Sequence, residues 1–133
     1  MPIVLFHGAS EIKKSRAMSD LLVVQSPDDV YYFGSQNRLG IKRENVFSDV
    51  TTWVLKIEEI FKDQGEAIRK RGISRSKKLV IILEAHPELG ENATFVKLAM
   101  VGRHYNLSTW INCEKTEDVP SVIIMNASET LKC

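Results

Sequence analysis

The chain has 133 residues, of which 44% are hydrophobic, and its formal net charge is +1. This length suits one domain with a real core, so we predict a single domain over residues 1–133. The near-neutral charge gives no global argument for binding nucleic acid or a membrane surface. The two cysteines, Cys113 and Cys133, do not suggest a disulfide framework. Since no signal-peptide pattern opens the sequence and no apolar run is long enough to span a bilayer, we expect a cytoplasmic protein.

The first half of the chain predicts two strands and two helices. The first strand is expected at residues 3–7, with a helix over residues 15–22. A second strand at 30–33 follows a turn-forming segment and leads into a polar connection. The strongest helix is predicted from Ser48 or Asp49 to the stop at Gly72, because apolar residues form one stripe along it.

The second half predicts three further strands. Residues 79–83 form a continuous apolar run, which is typical of a parallel strand buried on both faces. A helix is expected at 92–105, followed by strands at 107–112 and 121–125. Strands that alternate with helices predict a three-layer α/β domain, whose ligands bind at the carboxyl ends of the strands.

The connection after the first strand has a spacing close to that of a phosphate-binding loop. That motif, G-x-x-x-x-G-K-[ST], wraps phosphates with backbone N–H groups and supplies a lysine and a magnesium-binding hydroxyl. Gly8, Lys14 and Ser15 stand in register with it, whereas Lys13 replaces the second glycine. A side chain at this position obstructs close approach of the backbone to phosphate.

The end of the third predicted strand is one residue away from a Walker B pattern. In that pattern an aspartate holds the Mg²⁺ shell and the following glutamate orients the attacking water. Here Leu83 occupies the aspartate position and Glu84 the glutamate position. The metal ligand is therefore absent, while a candidate catalytic carboxylate remains.

A later segment carries a family resemblance. Residues 101–109, followed by Val119, Pro120 and Asn126, resemble the corresponding region of poxvirus-type genome-packaging ATPases, which belong to the FtsK/HerA superfamily. The resemblance extends from Gly8 to Asn126. It implies a RecA-like P-loop fold with a mostly parallel five-stranded sheet in the order 5-1-4-3-2.

The resemblance also implies roles for individual residues. The nucleotide would be bound by Gly8, Lys13, Lys14 and Ser15, with Lys14 on the phosphate and Ser15 on Mg²⁺; the catalytic candidates are Glu84, Arg103 and Glu114. Arg103 would be an inter-subunit contact in an oligomeric ring. Glu114 stands where the family has a glutamine that senses the γ-phosphate, and its carboxylate is unfavourable beside phosphate oxygens.

These departures favour a degenerate ATPase-like protein that is inactive or weakly active and binds ATP with Mg²⁺ weakly or not at all. Such a protein would be a structural or regulatory component of a viral packaging assembly, or an interaction module that blocks a related ATPase or a host protein. The alternative is an active Mg²⁺-dependent ATPase that drives DNA packaging, with Glu84 or Glu114 taking part in metal binding. A viral protein would be found in the host-cell cytoplasm or the virion.

Two further groups of residues are candidate sites. The basic cluster formed by Arg69, Lys70, Arg71, Arg75, Lys77 and Lys78 is interpreted as a solvated helix end or as a contact for a DNA backbone. His7, His86 and Cys113 are each expected at strand ends, where a metal could be bound. Isolated histidines at strand ends are usually satisfied by hydrogen bonds, so no metal is predicted.

Overall fold

A parallel sheet of six strands forms the middle layer of the computed structural model, which describes residues 3–133. The strands are β1 (Ile3–His7), β2 (Asp29–Phe33), β3 (Val46–Phe47), β4 (Leu79–Glu84), β5 (Leu107–Cys113) and β6 (Glu129–Lys132). Their order across the sheet is β3-β2-β4-β5-β1-β6, and every neighbouring pair is parallel.

Helices cover both faces of the sheet. They are α1 (Glu11–Gln25), α2 (Trp53–Arg71), α3 (Ala93–Val101) and α4 (Ser121–Met125). Met18 of α1 packs on one face in a core with Phe6 and Trp110. The other three helices contribute to the larger core on the opposite face. The predicted three-layer α/β arrangement is therefore confirmed, and none of the helices in the described part of the chain is long and apolar enough to cross a membrane.

Local signals explain where α1 begins and where the two longest helices end. The Ser10 hydroxyl accepts a hydrogen bond from the Lys13 N–H at 3.2 Å, so Ser10 caps the start of α1. This helix ends where Ser26 adopts a left-handed conformation, just before a proline. Helix α2 ends at Gly72, whose φ of +83° favours glycine. The predicted stop at Gly72 is thus confirmed.

The predicted sheet of five strands in the order 5-1-4-3-2 requires correction. The described chain has six strands, because the short segment Val46–Phe47 pairs with the end of β2 and adds an edge strand. The predicted strand at 121–125 is helical, and the last strand lies at Glu129–Lys132. Short apolar runs do not by themselves distinguish a strand from a helix, and here Ile123 packs into the core from α4.

Three helix boundaries also differ from the prediction. Helix α2 begins at Trp53, after a 3₁₀ turn at Val50–Thr52, rather than at Ser48 or Asp49. Helix α1 begins at Glu11 rather than at Ser15 and therefore contains the residues predicted to bind phosphate. The helix predicted over 92–105 ends at Val101 and continues as a 3₁₀ turn, Gly102–Tyr105. The earlier start of α1 determines the geometry of the candidate site.

Candidate functional site

The carboxyl ends of β1, β4 and β5 meet at one edge of the sheet, which we call the carboxyl edge. Adjacent strands are in register, so His7 lies beside Cys113 and Glu84 lies beside Asn112. Ligands of open α/β sheets bind outside this edge. The opposite edge, where the parallel strands begin, is called the amino edge.

The Lys14 side chain is buried, although it borders a cleft at the carboxyl edge. It is only 1% exposed, and its Nζ donates a hydrogen bond to the Cys113 carbonyl oxygen at 3.1 Å. The same Nζ lies 2.9 Å from the Glu11 Oε1 atom, in an ion pair within the first turn of α1. The ammonium group thus has an anionic partner and a carbonyl acceptor within the chain.

The connection between β1 and α1 consists of residues 8–10. The Gly8 N–H donates to the Glu114 carbonyl oxygen at 3.0 Å, with a longer contact of 3.3 Å to the Cys113 carbonyl oxygen. Gly8 has a φ of +142°, and a Cβ built there would lie 2.1 Å from the Cys133 backbone oxygen. The Cys133 backbone, directly after β6, packs so closely against Gly8 that only glycine fits at this position, whether or not a phosphate is bound.

The other two residues predicted to bind nucleotide lie in the body of α1. Lys13 is exposed and Ser15 is partly buried. Because the helix has already begun four residues before Ser15, these residues do not form an extended loop around an anion.

Glu84 is held by three donors from the segment after β2 and from β2 itself. Its Oε2 accepts hydrogen bonds from the Tyr32 hydroxyl at 2.6 Å and the Gln36 N–H at 2.8 Å, and its Oε1 accepts from the Ser35 N–H at 3.2 Å. Gly34 lies against this carboxylate, since a Cβ there would be 2.2 Å from the Glu84 Cδ. The predicted catalytic carboxylate is therefore already engaged in joining β4 to the segment after β2.

Two groups near this edge have strongly shifted pKa values. Burial raises the pKa of Tyr32 well above its ordinary value of 10.0, and the hydrogen bond to Glu84 raises it further. Burial also raises the pKa of the Cys113 thiol to about 11, although Lys14 acts in the opposite direction. Both groups are consequently neutral at physiological pH.

A cleft of about 520 Å³ opens at the carboxyl edge. Its charged or amide-bearing walls include Glu11, Lys14, Glu84, Asn112, Glu114 and Asp118. Four carboxylates thus face one ammonium group, which is itself paired with Glu11. The cleft brings the predicted residues Lys14, Glu84 and Glu114 together. The net charge of its lining is negative.

Arg103 and the basic cluster lie elsewhere. Arg103 is in the 3₁₀ turn that precedes β5, and it lines a second cleft of about 370 Å³ with Lys78 and Gln25. The cluster spans the end of α2 and the connection to β4. Both features belong to the amino edge, on the far side of the sheet from Glu84.

The histidines and Cys113 do not form a metal-binding group. Among residues 3–133, no three His, Cys, Asp or Glu side chains are placed to hold a metal ion. The His86 Nδ1 instead accepts a hydrogen bond from the Glu88 N–H at 3.1 Å, and its ring contacts the edge of Trp53.

The sequence reasoning missed Glu11, Tyr32, Asn112 and Asp118 as parts of this edge. A signal existed for Glu11, because it precedes Lys14 by three residues, which is a spacing of helical ion pairs. Tyr32 has no comparable local signal, since it reaches Glu84 across 52 positions of the sequence.

No protein-family model matches this chain, and no curated protein matches it. Several solved structures are similar to this chain. EssC (ATPases 2 and 3) from Geobacillus thermodenitrificans is similar with a TM-score of 0.70 and 12% identity, over 98% of this chain and 31% of that chain. EccC (ATPases 2 and 3) from Thermomonospora curvata, in complex with a signal sequence peptide, is similar with a TM-score of 0.68 and 12% identity. The match covers 97% of this chain and 30% of that chain.

A viral protein is also among the similar structures. B204, the DNA-packaging ATPase from Sulfolobus Turreted Icosahedral Virus, gives a TM-score of 0.64 and 12% identity, over 98% of this chain and 74% of that chain. B204 from Sulfolobus turreted icosahedral virus 2 was solved with ATP-gammaS. The predicted resemblance is thus confirmed at the level of the fold, which this chain shares with the ATPase domains of EssC and EccC and with B204. The chain spans less than a third of the EssC structure.

Proposed function

We propose that this chain is an ATPase-fold protein that does not hydrolyse ATP and acts as a structural or regulatory component, or an interaction module, of a viral packaging assembly. The observation that carries the proposal is the position of Lys14. Its ammonium group is buried and paired with the Glu11 carboxylate 2.9 Å away. A phosphate-binding lysine must instead present its charge to the ligand.

The backbone before α1 supports the same conclusion. A phosphate loop surrounds the anion with several N–H groups before its helix begins. Here only residues 8–10 separate β1 from α1, and the Gly8 N–H is bonded to the carbonyl groups of Cys113 and Glu114 at the end of β5. The Gly8 N–H is therefore not free to bind a phosphate.

The charge of the cleft opposes a nucleotide as well. Glu84, Glu114 and Asp118 would lie near a highly negative triphosphate, which is unfavourable without a bound cation. Leu83, at the position of the expected metal ligand, is 1% exposed and packs in the apolar core. We therefore expect ATP with Mg²⁺ to bind weakly or not at all.

The alternative is an active Mg²⁺-dependent DNA-packaging ATPase, which the ATP-gammaS complex of the similar protein B204 favours. Glu84 or Glu114 would then help to hold the metal, and Arg103 would act on a neighbouring subunit's site. DNA would contact the basic cluster at the amino edge. This alternative predicts Mg²⁺-dependent turnover that collapses in the Glu84→Gln variant and responds to DNA.

The test combines a turnover assay with calorimetric titration of inorganic phosphate and of ATP with Mg²⁺. The wild-type chain should show no turnover and little binding. Glu11→Ala should increase the affinity for inorganic phosphate, because it removes the carboxylate that neutralises Lys14. Asp20→Ala is the matched control, because it also removes a carboxylate from α1, at an exposed position. It should not increase the affinity for inorganic phosphate.

The proposal is wrong if the wild-type chain hydrolyses ATP briskly and the Lys14→Ala variant does not. It is also contradicted if Glu11→Ala and Asp20→Ala change phosphate binding equally. Circular dichroism of every variant shows whether a loss reflects unfolding instead.

A further inference from the structure

The amino edge carries a dense group of unpaired positive charges. Helices α1 and α2 both end at this edge, and the 3₁₀ turn before β5 adds Arg103. Together with the basic cluster, seven exposed lysines and arginines lie here. Among the described residues only Lys77 of the seven forms an ion pair, with Asp29 at 3.8 Å. This end of the molecule is therefore positive, although the net charge of the whole chain is only +1.

The carboxylates near this edge do not neutralise it. Asp29, at the start of β2, is already paired with two lysines. The neighbouring Asp28 accepts a hydrogen bond from the backbone N–H of Lys78 at 2.7 Å. The last carboxylates on the two helices, Asp20 and Glu66, are more than one turn away from the helix ends. The edge therefore keeps an excess of cations.

The second cleft, of about 370 Å³, opens within this surface, and we call it the amino-edge cleft. Lys78 and Arg103 line it, and none of its lining residues is acidic. Gln25 and Ser108 also line it and carry an amide and a hydroxyl that can donate hydrogen bonds. Two cations with further donors and no carboxylate are suited to a phosphate group.

Exposed aliphatic side chains lie beside these cations. Val23 and Val24, in the last turn of α1, are each 79% exposed, and Ile73, within the basic cluster, is 46% exposed. The Ile73 carbonyl oxygen accepts a hydrogen bond from the side-chain amide of Asn106 at 2.7 Å, and Asn106 lines the amino-edge cleft. Gln25, which follows Val24, lines the same cleft. The aliphatic residues are therefore close to the site suited to phosphate.

Cations beside exposed aliphatic residues are suited to the surface of an anionic bilayer. There the aliphatic side chains are buried at the boundary between headgroups and acyl chains, and each lysine or arginine is attracted to anionic lipids. A nucleic-acid backbone would also attract the cations, but it would leave Val23 and Val24 in water. None of the large apolar residues exposed in the described structure is aromatic, so this surface has no platform for base stacking.

We propose that the amino edge is a peripheral binding surface for anionic phospholipid bilayers, with the phosphate of a lipid headgroup bound by Lys78 and Arg103 in the amino-edge cleft. The ends of α1 and α2 then face the lipid, and the carboxyl edge faces away from it. The inference goes beyond the proposed function and does not depend on whether the chain hydrolyses ATP.

The first test is co-sedimentation of the chain with lipid vesicles. The chain should bind vesicles of phosphatidylcholine mixed with phosphatidylserine. It should not bind vesicles of phosphatidylcholine alone, because a few aliphatic side chains without anionic lipid give too little attraction. Binding to the mixed vesicles should weaken by about tenfold or more between about 0.1 M and about 1 M salt, because salt screens exposed charges.

Two double variants test the two components of the surface. Arg71→Gln/Arg75→Gln should weaken binding by about 25-fold, because each basic residue near an anionic bilayer strengthens binding by about fivefold. Val23→Ser/Val24→Ser should weaken binding by about tenfold without a change in charge, because less apolar surface enters the bilayer. All four residues are exposed.

A third double variant, Lys78→Gln/Arg103→Gln, tests the headgroup site. It removes the same charge as Arg71→Gln/Arg75→Gln, so a surface that acted only through its total charge would respond equally to both variants. A headgroup bound in the amino-edge cleft predicts a larger loss for the cleft variant, of more than about 25-fold.

The matched controls make the same kinds of change near the carboxyl edge, in Lys13→Gln/Lys115→Gln and in Ile12→Ser/Leu55→Ser. These four residues are exposed and lie near the starts of α1 and α2 or just after β5. Both controls should bind the mixed vesicles like the wild-type chain. Thermal melts establish that every variant is folded.

Equal binding to the two kinds of vesicle, or binding to neither, would overturn the inference. So would wild-type affinity in any of the three amino-edge variants, equal losses in the two charge variants, or losses of the same size in the controls. A titration of duplex DNA at the same salt tests the other polyanion. Binding to DNA in place of the vesicles, unaffected in the valine variant, would assign the surface to nucleic acid and overturn the inference. The assays contain no nucleotide, so the turnover assay decides the proposed lack of hydrolysis separately.

Discussion

Replacing Tyr32 by phenylalanine tests whether Glu84 is held in place by the fold. Tyr32 is 1% exposed, and its hydroxyl lies 2.6 Å from the Glu84 Oε2 and 3.0 Å from the Gln36 carbonyl oxygen. The substitution removes one oxygen atom and leaves the aromatic ring. The change in stability therefore reports the hydrogen bond rather than the packing of the ring.

The expected loss follows from the geometry. A hydrogen bond to a charged group contributes about 1.5–3 kcal/mol when one partner is removed. Glu84 keeps the backbone donors of Ser35 and Gln36, so its carboxylate is not left unpaired. We expect the Tyr32→Phe variant to lose about 2 kcal/mol in the free energy of unfolding at neutral pH.

The neighbouring Tyr31 provides a matched control. It is partly buried, and its hydroxyl makes no hydrogen bond within the described part of the protein. Tyr31→Phe should change the free energy of unfolding by less than about 0.5 kcal/mol. Urea denaturation of the three proteins, monitored by circular dichroism, measures these differences.

The difference in the free energy of unfolding between the wild-type chain and Tyr32→Phe should also depend on pH. The pKa of Tyr32 is raised above 10.0 in the folded state, whereas an unfolded tyrosine loses its proton near that value. The stabilisation from Tyr32 is therefore complete below pH 10 and is lost as the pH rises above it, by about 1.4 kcal/mol per pH unit. The gap between the wild-type chain and Tyr32→Phe should narrow accordingly. Equal stabilities of the two phenylalanine variants, or a gap that does not change with pH, would refute the reasoning.

Two further predictions concern the residues around the start of α1. Gly8→Ala should lower the free energy of unfolding by several kcal/mol and expose the β6 amides to hydrogen exchange, because the new Cβ would meet the Cys133 backbone oxygen at 2.1 Å. The control is Gly40→Ala. Gly40 has a φ of +68° and no neighbour within 4 Å, so this substitution should cost only about 1 kcal/mol. Cys113 is 3% exposed with its pKa raised to about 11, so iodoacetamide should modify Cys133 much faster at pH 8, as measured by mass spectrometry. Equal costs for the two glycine variants, or equal rates for the two thiols, would contradict these predictions.

The amino-acid pattern determined the layered fold and its longest elements. The apolar run at 79–83 indicated a strand buried on both faces, and β4 lies between two parallel neighbours. The apolar stripe of α2 and the glycine at position 72 defined the longest helix, because periodicity and helix-stop signals are local properties of the chain. Lys14, Glu84 and Glu114 were also placed correctly at one edge, since parallel strands bring their carboxyl ends together.

Only the tertiary structure decided what these side chains contact. The sequence alone did not show that Lys14 is paired with Glu11, because that pairing depends on where α1 begins and on the Cys113 carbonyl group 99 positions away. Likewise, the segment 121–125 is a helix because α4 packs Ile123 into the core, although its apolar residues suit a strand equally well. Side-chain partners that are distant in sequence are set by sheet register and packing, which a local pattern does not encode.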